Sequence, residues 1–175
     1  MAARILYQQT ISAVALQGMT VGATQFNWLN RDGSLGPATS QPTLSRVVIP
    51  PTAPIFLTAG FAQVQISIQD GGQTGIVAGQ LLLAALLPNI PPSPAGQLSY
   101  GSWTLAAIGT GANLFLITLS QNSPPALIAN GVQAGATALP VPTAFALALN
   151  CTTAPSTGSP LTIAVIGITP GDPSV

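Results

Sequence analysis

The sequence predicts an all-β fold, an antiparallel β-sandwich or barrel with jelly-roll-like topology. Three observations predict it. Apolar residues alternate with polar ones, strand-length segments recur at near-even spacing, and glycine and proline are too frequent for long helices. Seventeen prolines and eighteen glycines interrupt 175 residues. A proline inside a helix removes a hydrogen bond and clashes with the preceding turn. The length is that of a single β domain over 1–175, large enough to bury a core without disulfides or metals.

Residues 1–43 combine a weakly alternating segment with the turn-rich run Asn30-Arg31-Asp32-Gly33-Ser34-Leu35-Gly36-Pro37. Two readings fit: an extended N-terminal arm reaching across a neighbour, or two more strands and a loop. The sandwich core is expected over 44–170. Residues 44–49 form a strand closed by Pro50 and Pro51, and 55–58 form another before Gly60. In 61–69, Val64, Ile66 and Ile68 face one way while Gln63, Gln65, Ser67 and Gln69 face the other, the period of a half-buried strand. Asp70-Gly71-Gly72 supplies the turn. Residues 76–87 read equally as a short helix or as two apolar strands split at Gly79 and Gln80.

The proline-rich run 88–94 is expected to be extended and to cross from one sheet to the other. Segments 102–108 and 113–120 are joined by Gly109-Thr110-Gly111-Ala112, which reads as a hairpin. Near the C-terminus Phe145, Leu147, Leu149 and Cys151 share a face, and Ala144, Ala146 and Ala148 share the other. So small a face implies close packing against something. A last strand, 161–169, is closed by Pro170 and Gly171, with 151–160 expected as the loop of a second hairpin. Residues 114–119 are apolar on both faces and carry neither charge nor proline. Such a strand is either central in its sheet or at a subunit contact, because an open edge of this kind would pair with other chains.

Charge is the strongest functional filter. Charged residues make up 3% of the chain against about a quarter in an average protein. They are Arg4, Arg31, Arg46, Asp32, Asp70 and Asp172, with no Lys, Glu or His. Three scattered arginines make no basic stripe for phosphates, so neither nucleic acid nor anionic lipid is an expected partner. The longest apolar run, 81–87, is seven residues, whereas a membrane-spanning helix needs about twenty. No membrane association follows. The N-terminal residues lack the apolar stretch of a secretory signal, which points to synthesis and release in the cytoplasm.

The same inventory argues against an enzyme. General acid–base chemistry draws on His, Glu or Lys, and a serine or cysteine nucleophile would have no base. One cysteine, Cys151, supports neither a disulfide framework nor a zinc site. Asp32 and Asp70 each precede glycine and read as turn residues whose side chains bond the backbone two residues on. No cofactor is expected. Trp28 and Trp103, with Tyr7 and Tyr100, are candidates for a sugar-stacking platform, or else for core or interface positions. Asn150-Cys151-Thr152 matches a glycosylation sequon that, with no secretory signal before it, reads as a chance match.

The unsignalled start Met1-Ala2-Ala3-Arg4, the unguarded strand at 114–119 and the proline-linked strands after it resemble the decoration or cement proteins of tailed-phage capsids. The resemblance implies a homo-oligomer, a trimer ahead of a dimer, that binds the major capsid protein or other virion subunits and resides in the virion. It would stabilise the shell by repeated non-covalent contacts. Arg4, Arg46, Trp28, Trp103, Leu114, Phe115, Leu116 and Ile117 are the candidate interface residues. The rival readings are a subunit of an extracellular or viral filament and a carbohydrate-binding module.

Overall fold

Alternating apolar side chains build two antiparallel sheets that face each other. A computed structural model describes residues 2–40, 47–70, 77–86, 93–108, 114–120, 127–129, 132–133, 143–153 and 160–170. Strand β1 (Ala3–Ile11) leads into a short helix, α1 (Ala13–Gln17), and then β2 (Gln25–Trp28). Three two-residue strands follow: β3 (Thr39–Ser40), β4 (Val48–Ile49) and β5 (Phe56–Leu57). The long strands β6 (Gln63–Asp70), β7 (Val77–Leu86), β8 (Gln97–Ile108) and β9 (Leu114–Ser120) come next. After β10 (Leu127–Ala129) and β11 (Val132–Gln133), the chain closes with β12 (Ala144–Thr153) and β13 (Leu161–Ile168).

One sheet has the order β1-β13-β6-β9-β10-β11, the other β3-β2-β12-β7-β8-β4, with β5 also paired to β12. Their four-strand cores, β1-β13-β6-β9 and β2-β12-β7-β8, give the strand order of a jelly roll, in which the chain swaps sheets at nearly every long strand. The expected fold class is therefore the observed one.

The core between the sheets is the inward face of each long strand. Val64, Ile66 and Ile68 of β6, and Leu161, Ile163 and Val165 of β13, meet Leu81 and Leu83 of β7 and Phe145, Leu147 and Leu149 of β12. Leu16 of α1 joins this cluster. Ser12 caps the helix by accepting the Ala15 N–H at 3.1 Å, and Gly18 ends it. A second cluster occupies the opposite face of the seven-stranded sheet: Ala146 and Ala148 with Leu82, Ala84, Phe26, Trp28, Val47 and Ile49. Strands β7 and β12 are thus buried on both faces, which is why 81–86 reads as an unbroken apolar run.

Several connections differ from expectation. Residues 77–86 form one strand of ten residues, with no split at Gly79 and Gln80. β7 and β8 are paired neighbours in one sheet, so the expected passage to the other sheet between them is not made; residues 88–92 of the proline-rich run lie outside the described residues. The glycine-rich 109–112 lies outside the described residues, but β8 and β9 on either side of it belong to different sheets and so do not form the expected hairpin. Likewise β12 and β13 lie in different sheets and do not form the expected second hairpin; residues 154–159 between them lie outside the described residues. The physical reason is common to all three: each strand pairs where its apolar faces are best covered, not with its nearest neighbour in sequence.

Within residues 1–43, β1 pairs with β13 from Ala3 to Ile11, and β2 pairs with β12 and β3. These are strands of the two sheets. Edges are managed without lysine. Strands β3, β4 and β11 are two residues long. β1 carries a register shift between Ile5 and Tyr7 and is flanked by the 30–33 loop, where Gly33 approaches the Thr10 carbonyl.

Candidate functional site

The loop after β2 is built by its own side chains. Leu29 bridges to Leu35, and the Asn30 N–H donates to the Ser34 carbonyl at 3.0 Å. Asp32 Oδ1 accepts from the Ser34 N–H at 2.9 Å and from the Ser34 hydroxyl at 2.6 Å, the turn expected for Asp before Gly. Those bonds, the hydroxyl foremost, hold the Asp32 carboxyl below the usual carboxylate range. Gly33 adopts φ 80°, a left-handed conformation that costs glycine little.

This loop is tied to β1 and to the 50–57 segment. The Tyr7 hydroxyl donates to the Asn30 carbonyl at 2.8 Å, and the Gln9 amide donates to the Arg31 carbonyl at 2.5 Å. With its amide oriented to satisfy both ends, Asn30 donates to the Thr52 carbonyl at 3.2 Å and accepts from Gly36 N–H at 3.2 Å. Burial first, and the Asp32 charge second, push the Tyr7 phenol up to about 12. The Arg31 backbone is thereby fixed while its side chain stays exposed.

Arg31 then stands between two depressions. One, of about 340 Å³, is lined by Arg4, Leu6, Ile55, Leu57 and Phe61 as well as Arg31. The other, of about 380 Å³, has Pro50, Pro51 and Gln97 in its wall. In the first, Phe61 lies over Gly167 of β13, opposite Arg4 in the β1 register, and a methyl group at Gly167 would collide with the ring. Leu57 is 63% exposed at this groove, and Ile5, between Arg4 and Leu6 in the chain, is 61% exposed. Neither guanidinium has an ion-pair partner among the described residues. Two cations thus line one groove with apolar walls, an arrangement whose chemistry suits a carboxylate beside a greasy group and offers no base for proton transfer.

The remaining sequence candidates scatter. Trp28 is fully buried, stacked on Phe26 at 6.0 Å with its indole N–H donating to Thr39 Oγ1 at 2.9 Å. It is a core residue and presents no outer face to a sugar or a partner, because the alanines of β12 leave room for its ring. Tyr7 is also buried. Trp103 lies in β8 in register with Leu83. Leu114, Phe115, Leu116 and Ile117 lie in β9, paired along one side with β6, while along the other β10 pairs with Leu116 and Ile117. Arg46 lies outside the described residues. Cys151 is buried, its thiol 2.6 Å from the Thr153 carbonyl.

Sequence reasoning missed the meeting of Arg4 with Arg31, Leu57 and Phe61. The residues lie far apart in the chain, and no spacing or motif in the sequence relates them. Among the described residues no three His, Cys, Asp or Glu side chains gather, and no helix is long and apolar enough to cross a membrane. No family model matches the chain, and no curated protein is significantly similar to it.

Proposed function

We propose that the chain is a non-enzymatic structural protein of a virus particle, an oligomeric decoration or cement protein that stabilises a shell through non-covalent contacts. The observation that carries this reading is the jelly-roll strand order in a chain almost free of charge. Jelly rolls serve in viral capsids and in lectin domains, though fold alone does not fix function. The lectin use draws on exposed aromatic platforms, and Trp28 and Tyr7 are both in the core. A metal-centred use of the fold would draw on histidine, which the sequence lacks.

So low a charge also favours assembly. Zero net charge removes the repulsion that keeps like molecules apart. On the outer face of the six-stranded sheet, Gln8, Thr10, Ser67, Gln65 and Thr162 are polar yet neutral, and Ile5 pairs with Ile166 beside them. The test is native mass spectrometry with electron microscopy of the purified chain. Discrete trimers or dimers support the proposal, and filaments grown from the chain alone would replace it with the fibre reading. A monomer that turns over a substrate would end it.

A further inference from the structure

We infer that the groove between Arg4 and Arg31 is a docking surface for an extended, acidic segment of a partner protein, one carboxylate flanked by an apolar side chain. The inference rests on the assembly reading above and names the surface that would make the attachment. Three features converge on it. Two of the chain's three cations line one groove of about 340 Å³, and neither is paired among the described residues. The groove walls are apolar, with Leu6, Ile55, Leu57 and Phe61 offering the contact that would seat an aliphatic or aromatic side chain. Leu57 is left exposed there without any covering element among the described residues.

Charge decides the occupant. A second copy would bring the same two guanidinia and one carboxylate, Asp32, already committed to its own turn. Face to face, two copies would gather four arginines around two aspartates. A carboxylate from a different protein instead meets a net positive site, and guanidinium suits it because its planar donors grip two oxygens at once. Phosphate-rich polymers fit less well, since two cations release too few counterions for useful affinity and the apolar walls would find nothing to bury.

The experiment titrates the whole chain with blocked pentapeptides carrying Leu-Glu-Leu or Phe-Asp-Leu at the centre, against the same peptides with Gln or Asn. Two-dimensional NMR follows the arginine Nε–H and leucine methyl signals. Acidic peptides should shift Arg4, Arg31 and Leu57, and Arg4→Gln or Arg31→Gln should each weaken binding about three- to tenfold. Both arginines are exposed, so the variants keep the fold, checked by unchanged methyl spectra elsewhere. Equal binding of acid and amide peptides, binding elsewhere, no binding, or dimerisation lost on Arg31→Gln would each overturn the inference. The outcome is separable from that of the assembly reading. Oligomers with a groove that ignores acidic peptides sink this inference alone, and peptide binding by a catalytic monomer sinks only the other.

Discussion

Gly167 shows how one missing methyl group shapes this molecule. Its backbone lies under the Phe61 ring, and a Cβ there would enter the ring's volume. Gly167→Ala must tilt Phe61 outward, costing about 1–3 kcal/mol, and should close part of the Arg4 groove. Chemical denaturation of the variant, with its peptide affinity, checks both. Tyr7 makes a pH-dependent contribution of known sign. Its phenol is pushed up to about 12, so the fold favours the neutral form. That contribution is whole below the ordinary phenol pKa of about 10 and is lost as pH rises toward 12. Stability should fall across that window by at most about 1.4 kcal/mol per pH unit. Tyr7→Phe should flatten the alkaline limb of a pH–denaturation series.

Strand β12 illustrates what an alternating segment specifies and what it leaves open. Its larger residues fill the space between the sheets, while Ala146 and Ala148 lie against the second cluster. Ala148 sits in register between Trp28 of β2 and Leu82 of β7. Ala148→Leu should therefore destabilise by about 1–3 kcal/mol or more through overpacking, whereas Thr152→Leu, at an exposed end of the strand, should change stability by less than about 0.5 kcal/mol. Urea midpoints compare them. The period of two and the small alanine face were both legible in the residues, as was the Asp32 turn. Partner choice was not. Alternation fixes which face of a strand is buried, but many neighbours satisfy that demand. Hence a glycine-rich link looks like a hairpin while joining different sheets, and the proline-rich run joins two paired strands. The short helix at 13–17 has a single cue, Ser12 as its cap, and the groove has none, because its residues are brought together only by the fold.

At the scale of the whole molecule, the scarcity of titrating groups should make stability nearly level between roughly pH 4 and 9. Asp32 is held below its usual range, so what it contributes is present above that value and fades only as pH drops beneath it. A calorimetric series across the plateau that shows a sharp step would reveal a titrating site the sequence gives no reason to expect. The edges carry a second lesson. The unguarded apolar strand was expected either in mid-sheet or at a subunit contact; β9 lies between β6 and the short β10, and the outermost strands are short or bulged.

Strand β13 stands between β1 and β6, and the hydroxyls of Thr10 and Thr162 meet across it at 3.0 Å though 152 positions separate them. Among the described residues β1 therefore pairs only with a strand that is made some 152 positions later. Folding on the growing chain must stall with one sheet split in half, and the final zipper is a late, slow event. A chain stopped at Pro160 should stay open and protease-sensitive however well its first strands are made. A compact, resistant product from that truncation would show that the last strand is an ornament and not a keystone.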